Sequence, residues 1–449
     1  MAAIPGSIEM DEQPPMTVPL GHFVVGLAFL FVGTLVGLGA VAASVPGFAG
    51  LAQLHLLLAG WVCVTIMGAM TQFVPVWSGV ALHSQRLASA QLALVAVGLV
   101  GFVGCLLASA LSWLPAFGAL MVAGFWTFAY NVGRTLLSVD DWDVTERHFA
   151  LSLSFFVALT TLGFLLAVDF THPVIADLSL ARPNVREAHA TLAVFGAVLT
   201  TVYGALYQLA TMFTQTELHG VDEHLRAVES VGHPLGVVLL AAGRLLDVVP
   251  VAQVGGVLVL AAALSVSVIL ARKLAEMRVE RTPMHVRYAV VAVALAAWAL
   301  VTAPAWVSSP TASTHLFGAS GSVHLLVLGV IGFVVFGTLY HVVPFIVWVH
   351  RYSDRLGLEP VPMIDDLYSD RLATADVLLL GAGTTGLVLA GWFDGPGSLT
   401  ALSGVLLCLG ILAFAANLLL VVRNHSPQSL RRILTGSLGL NRGDRSTPE

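Results

Sequence analysis

The sequence predicts an all-α integral membrane protein that crosses the bilayer about twelve times. Hydrophobic residues make up 57% of the chain, charged residues only 10%, and the mean hydropathy is +0.89. Soluble domains contain about a quarter charged residues, so this composition excludes an ordinary soluble protein. An apolar stretch of about 20 residues is long enough to cross the hydrocarbon core. Such stretches lie at about 19–44, 52–78, 88–110, 113–138, 146–169, 186–214, 228–248, 251–272, 286–306, 318–350, 373–393 and 398–422.

The segments outside these twelve spans are short. Residues 1–18 are acidic and contain no lysine or arginine, which is not the pattern of a secretory signal peptide. Residues 423–449 form a basic tail. We therefore expect one membrane domain over residues 19–422, placed between two cytoplasmic tails.

The basic residues predict the orientation. All but three of the 20 lysines and arginines lie in loops that follow even-numbered spans or in the C-terminal tail; the three others are Arg182, Arg186 and Arg244. By the positive-inside rule both termini are cytoplasmic, and even-numbered spans run inward. The chain is thus predicted to be a multi-pass protein of the cell membrane with bilayer lipid as its partner. Its net charge of −6 indicates no nucleic-acid partner.

A 21-residue pattern that begins with a histidine occurs twice, in spans 2 and 10. It runs from His55 as HLLLAGWVCVTIMGAMTQFVP and from His324 as HLLVLGVIGFVVFGTLYHVVP. Glycines follow each histidine after five and thirteen residues, and proline follows after twenty. An ionisable residue is costly inside a bilayer, so a histidine repeated at one place in two spans indicates a functional site. The orientation places both histidines near the outer ends of their spans.

Span 6 contains a third, imperfect copy. Its segment GALYQ at 204–208 matches GAMTQ at 68–72 and GTLYH at 337–341, so the chain is predicted to form three four-helix units. His189 lies fifteen residues before its glycine instead of thirteen, and Thr191 takes the equivalent place. Two residues rotate a helix by about 200°. We therefore expect His189 to point away from the His55–His324 pair, and we keep it only as a further candidate metal ligand.

Twelve spans with histidine-bearing helices four apart resemble subunit I of the haem-copper oxidases. The local likeness is strongest in span 10, where Ser322-Val323-His324 precedes the glycine pattern, as in cbb-type oxidases and nitric oxide reductases. The family's low-spin haem ligands are matched by His55 and His324. The resemblance thus implies one bis-histidine haem b and, as electron donor, a cytochrome, a quinol or a second membrane subunit. Arg244, at the outer end of span 7, is a candidate partner for the haem propionates.

This chain also departs from the family. Ser322 stands where the family has its high-spin haem ligand, and AAGRLLDVV at 241–249 stands where a copper-binding histidine pair is expected. His233, the only histidine in span 7, is predicted near the inner end. A histidine-ligated copper needs about three converging imidazoles, so the sequence does not support a copper site. Nor does it place an aspartate or glutamate in the middle of a predicted span, as a proton path would require.

These patterns predict a haem b protein of the membrane that transfers or senses electrons. Two alternatives stay open. One is a terminal oxidase or nitric oxide reductase subunit with unconventional ligands. The other is a haem-free transporter or scaffold on the same fold, since internal repeats are common in transporters.

Overall fold

A computed structural model describes residues 14–42 and 45–438, and over these residues the protein is helical throughout, without β-strands. Twelve helices are long and apolar enough to cross a membrane, as the sequence predicts. They are α1 (Thr17–Ala42), α2 (Ala49–Ser78), α3 (Gln85–Leu107), α4 (Leu111–Leu136), α5 (Val144–Val168), α6 (Arg182–Thr214), α7 (Val221–Leu245), α8 (Val249–Ala275), α9 (Pro283–Ser308), α10 (Leu325–Arg351), α11 (Asp370–Trp392) and α12 (Gly397–His425).

The two predicted tails are described only in part. Residues 1–13 of the acidic tail and 439–449 of the basic tail lie outside the described residues. Within the basic tail, a short helix, α13 (Leu430–Ser437), packs on α1. The contact is close, because a Cβ added at Gly21 would lie 2.1 Å from the Cβ of Ser437.

Two helices begin seven residues away from their predicted start, whereas the other ten begin within four residues of it. Helix α7 begins at Val221 rather than near 228, because the polar side chain of Asp222 is buried and bonded to Arg272 of α8 at 2.7 Å. A hydropathy profile contains no information about such a pairing between two helices. Helix α10 begins later than predicted, because Gly318 and Gly321 have φ angles of 123° and 80°, which favour glycine and form a turn.

Helices α2, α6 and α10 form the centre of the bundle. In their most apolar stretches 67–78% of the residues are buried, against 33–61% in the other nine membrane helices of the described chain. A cavity with about 530 Å³ of space not filled by protein atoms lies where the three meet, and Ala69, Ala205 and Thr338 all line it. Each of these residues directly follows one of the three repeated glycines, so the three helices contact one another at matching positions.

Each central helix also contains an eight-residue π-helical stretch: Leu56–Cys63 in α2, Leu192–Leu199 in α6 and Leu325–Gly332 just where α10 begins. Each stretch ends five residues before its repeated glycine. The first begins directly after His55, the third directly after His324, and the second directly after Thr191. π-Helical segments are rare and are frequent at functional sites. The part of the bundle at His55, Thr191 and His324, which we call the histidine level, is therefore a candidate site.

Candidate functional site

His55 and His189 line one cavity, which we call the two-histidine cavity. It lies among α2, α3, α4, α5 and α6 and holds about 1130 Å³ of space not filled by protein atoms, including its mouth. Most of its wall is apolar, and five phenylalanines contribute to it: Phe102, Phe125, Phe156, Phe164 and Phe317. Apolar walls with a few polar groups are typical of a cofactor pocket.

The two imidazoles make the same kind of hydrogen bond. Nδ1 of His55 lies 2.9 Å from the backbone oxygen of Leu51, and Nδ1 of His189 lies 2.8 Å from that of Leu159 in α5. A carbonyl oxygen only accepts, so these bonds assign the ring proton to Nδ1. Within the described chain neither Nε2 has a hydrogen-bond partner. Both Nε2 atoms therefore keep a free lone pair, as in metal-ligating histidines.

Neighbouring residues fix the position of both rings. The His55 ring packs on Phe102, with 5.0 Å between ring centroids. The His189 ring lies against Gly163, where an added Cβ would approach its Cε1 to 2.8 Å. Glycine at position 163 thus provides the space that the imidazole of His189 occupies.

An arginine also lines the two-histidine cavity. Arg186 lies near the start of α6, its side chain is 58% exposed, and its one ion pair, with Glu187, is long at 3.9 Å. Its guanidinium is therefore available to an anionic group at the mouth of the cavity.

Arg244, which the sequence suggested as a propionate partner, has its own protein partners. Its side chain is buried and donates to Oγ1 of Thr191 at 2.7 Å. It also donates to backbone oxygens of the loop before α10, those of Pro310, His315 and Leu316. Leu316 and Phe317 of that loop line the two-histidine cavity, so Arg244 positions part of its wall. Its contact with a propionate stays a prediction.

His324 lines a different cavity, which we call the His324 cavity. It lies among α1, α2, α10, α11 and α12, holds about 1550 Å³ of unfilled space, and has no charged residue in its wall. Trp61 Nε1, His324 Nδ1 and Thr384 Oγ1 are buried, line it, and have no hydrogen-bond partner in the described chain. Leu54 and Leu58 line both cavities, so α2 separates them.

The structure thus brings His189, rather than His324, into the cavity of His55. The expected rotation between positions 189 and 191 is present, because Thr191 contacts Arg244 while His189 faces the cavity. The expectation that His189 points away from His55 was wrong, because both imidazoles line one cavity. Coordination of one iron by His55 and His324 stays a prediction, and the cavity walls favour His189.

The surroundings of Ser322 are filled by protein. Its hydroxyl is buried and donates to the backbone oxygen of Ala319 at 2.7 Å. Nearby, Phe195, Trp298 and Trp306 pack on one another with ring centroids 5.3–5.7 Å apart. The Ser322 hydroxyl therefore satisfies a backbone carbonyl of its own loop.

Further along the central helices, the repeated glycines pack against buried polar side chains of neighbouring helices. Each of these side chains bonds to a polar residue two helices further along the chain, and we call the sets the three buried polar pairs. They are His22–Gln91 (α1–α3, 3.3 Å), His148–Glu229 (α5–α7, 3.0 Å) and Arg287–Asp376 (α9–α11). The first members lie against Gly68, Gly204 and Gly337, respectively. Tyrosines three residues after two of these glycines bond the same carboxylates, Tyr207 to Glu229 and Tyr340 to Asp376.

Glu229 is a carboxylate in the first third of α7, and the structure pairs it where no sequence pattern indicated a partner. Its side chain is fully buried, and α7 begins eight residues before it. Sequence reasoning missed it because the predicted span began next to it. Its partner His148 is 81 residues away in sequence, so no local pattern indicates the pairing.

One cluster of metal-ligand type is neutralised by a lysine. His219, Asp222 and Glu276 lie close enough to hold an ion. However, Nζ of Lys273 lies 2.9 Å from Asp222 and 2.6 Å from Glu276. The hydrogen bond from Lys273 lowers the pKa of Glu276 below its ordinary value. The ammonium group therefore already serves as the cation of this cluster.

No protein-family model matches the chain, and no curated protein is significantly similar to it. The resemblance to the haem-copper oxidases therefore stands on the residues of the central helices alone.

Proposed function

We propose that this protein binds one b-type haem in the two-histidine cavity, where His55 and His189 would hold the iron, and that it carries or senses electrons. One observation carries the proposal. Two imidazoles from different helices share an apolar cavity, and each has its Nδ1 held by a backbone carbonyl.

The donor set fits such a haem. A ring N–H bonded to a carbonyl fixes the tautomer and makes the free Nε2 a better ligand. When bound, the haem would supply a reversible one-electron couple. With His55 and His189 both holding the iron, no place would remain for a gas, which favours electron transfer. Arg186, in the same cavity, supplies a positive charge for the propionates.

We also propose that the chain forms three four-helix units around α2, α6 and α10. The three π-helical stretches, the central cavity and the three buried polar pairs support this division. In a threefold arrangement of α2, α6 and α10, equivalent residues of the three helices face three different spaces, each between two of these helices. His55 and His324 then face different spaces, whereas the two-residue displacement turns His189 back toward His55. With the basic residues as guide, both termini are cytoplasmic and the protein lies in the cell membrane.

Haem content of the purified full-length protein tests the proposal. We expect one haem b per chain with a low-spin reduced-minus-oxidised spectrum and a low-spin ferric electron paramagnetic resonance signal. His55→Ala and His189→Ala should each abolish the low-spin spectrum, and the matched variant His324→Ala should retain it. Gel filtration and thermal unfolding establish that each variant is folded.

The other outcomes identify competing functions. Loss of haem in His324→Ala with retention in His189→Ala would establish the pairing of His55 with His324. Two haems and a copper per chain would indicate a terminal oxidase or nitric oxide reductase. A wild-type protein without haem, purified from haem-supplied cells, would leave a transporter or scaffold and refute the proposal.

A further inference from the structure

A groove runs between α4 and α5 on the surface of the bundle, and we call it the α4–α5 groove. It holds about 870 Å³ of space not filled by protein atoms, including its open side. Gly133 helps to open it, because a Cβ added there would meet only Leu153 Cδ1, at 4.0 Å. The groove follows α4 from Trp126 to Leu137, which is about 16 Å at 1.5 Å per residue. This length is about half of a hydrocarbon core of roughly 30 Å, which is the depth of one leaflet.

The wall of the α4–α5 groove is apolar and aromatic. Trp126, Tyr130 and Leu137 line it and are 47%, 54% and 71% exposed. Exposed apolar side chains that adjoin one another on a membrane helix mark a surface that contacts lipid. Trp142 lines the groove where α4 ends, and its Nε1 donates to the backbone oxygen of Leu136 at 3.0 Å. Tryptophan is enriched at the level of the lipid headgroups, so this end of the groove is expected to lie there.

Two arginines flank the same end of the groove. Arg134 follows Tyr130 by four residues and Arg147 precedes Ala150 by three. Because Tyr130 and Ala150 line the groove, each arginine lies on the groove side of its helix. Both are exposed, and the ion pairs of the described chain include neither. Two guanidinium groups are therefore available to phosphate oxygens, which arginine binds through paired N–H donors.

The carboxylates at this end limit the charge of the ligand. Asp143 caps the start of α5, and Glu146 accepts from the hydroxyl of Ser78 at 2.7 Å, so both are engaged within the protein. Asp140 and Asp141 are exposed. Because these two aspartates offset part of the positive charge of the arginines, a ligand with one phosphodiester charge fits better than a highly charged one.

We propose that the α4–α5 groove binds one phospholipid of the leaflet in which α4 ends and α5 begins. Its phosphate contacts Arg134 and Arg147, and one acyl chain follows Gly133 toward Trp126. A membrane helix of a second copy is the other occupant that such a groove could take, but a helix offers the arginines no phosphate and would have to pack over the exposed Trp126 and Tyr130. The site does not depend on haem binding in the two-histidine cavity.

Native mass spectrometry of the delipidated full-length protein in detergent tests the site, with palmitoyl-oleoyl phosphatidylglycerol as the probe. We expect one tightly bound lipid per chain. Arg134→Gln and Arg147→Gln should each weaken binding about fivefold, because each removes one charged contact to the phosphate. Gly133→Leu fills the groove and leaves both arginines in place, so it should weaken binding about tenfold.

Matched controls lie elsewhere on the bundle. Arg423→Gln changes an exposed arginine of α12, and Gly104→Leu changes a glycine of α3 where an added Cβ meets nothing within 4 Å. Both should leave the lipid affinity unchanged. Palmitoyl-oleoyl glycerol has the same chains without the phosphate and should bind about tenfold more weakly. Inorganic phosphate should not displace the lipid, because it has no chain to fill the groove.

Three results would overturn the proposal. The first is equal phosphatidylglycerol affinity in wild type, Arg134→Gln, Arg147→Gln and Gly133→Leu. The second is equal affinity of the wild type for phosphatidylglycerol and palmitoyl-oleoyl glycerol. The third is a wild-type dimer that Gly133→Leu converts to monomer with unchanged lipid affinity, which would assign the groove to a second copy. Haem content is measured in the same samples, so failure of the lipid site and failure of the haem proposal are distinguishable.

Discussion

The two halves of the helix bundle differ in how their buried polar groups are satisfied. Around the repeated glycines, all six side chains of the three buried polar pairs make at least one hydrogen bond within the protein. At the histidine level, Trp61, His324 and Thr384 make none, and His55 and His189 each leave one ring nitrogen free. Single atoms of the polar pairs, Gln91 Oε1 and Arg287 Nε, also lack a partner in the described chain, but the unpartnered groups at the histidine level line a large cavity. An unpartnered buried polar group therefore indicates a candidate site only where it also lines a cavity with room for a ligand.

The largest expected effect is on stability, in the half with the polar pairs. Asp376→Ala leaves the fully buried Arg287 without its carboxylate, so we expect the free energy of unfolding to fall by about 3–5 kcal/mol. Haem content per folded protein should not change. The measurement is unfolding by sodium dodecyl sulfate in mixed micelles.

Two variants serve as controls for this loss. Glu359→Ala breaks the exposed pair Arg355–Glu359, whose side chains are both more than half exposed, and should cost about 1 kcal/mol or less. The double variant Arg287→Met with Asp376→Leu should recover most of the stability. Equal losses in Asp376→Ala and Glu359→Ala would contradict the expectation that the buried pair contributes more to stability than the exposed one.

The second effect is on haem retention. In Gly163→Ala the added Cβ would lie 2.8 Å from Cε1 of His189, so the ring must move. We expect haem retention about tenfold weaker, measured by transfer to apomyoglobin, in a protein that remains folded. Gly104→Ala in α3, where an added Cβ meets nothing within 4 Å, is the control. Unchanged retention in Gly163→Ala would argue against His189 as a ligand.

A smaller effect concerns the propionates. Arg186→Gln removes the charge at the mouth of the two-histidine cavity, and we expect a weakening of haem retention by about fivefold, corresponding to about 1 kcal/mol. High salt should reduce the difference. Arg182→Gln, which breaks the pair with Asp169 outside the cavity, is the control. Haem release by Arg244→Lys but not by Arg186→Gln would restore the prediction made from the sequence for Arg244.

The smallest effect is a gain. In the ligand-free protein, Thr384→Val removes a buried hydroxyl that has no partner, so we expect stability to rise by up to about 1 kcal/mol. Thr160→Val should instead lower it, because Thr160 donates to the Phe156 carbonyl at 2.7 Å and accepts from Trp126 at 3.0 Å. Loss of stability in both variants would mean that the Thr384 hydroxyl has a partner.

Hydropathy was sufficient to predict the twelve helices, because a bilayer requires long apolar stretches. The repeat in turn identified His55 and His324, both half-buried, as equivalent positions of two central helices. The sequence could not predict which neighbouring helices each histidine faces. Eight of the twelve residues between His55 and Gly68 are π-helical, so they do not turn by the α-helical angle. The pairing of Glu229 with His148 depends on packing between α5 and α7, about which helical periodicity carries no information.

The π-helical stretches also have a mechanical consequence. Their i→i+5 hydrogen bonds are a less common alternative to the α-helical ladder, and all three lie between a histidine-level segment and a glycine-packed segment. Conversion of one stretch to α-helix would turn its histidine-level end while the glycine-packed end stays in place. Each central helix therefore contains one stretch where a change of hydrogen-bond pattern would rotate the histidine-level end relative to the glycine-packed end.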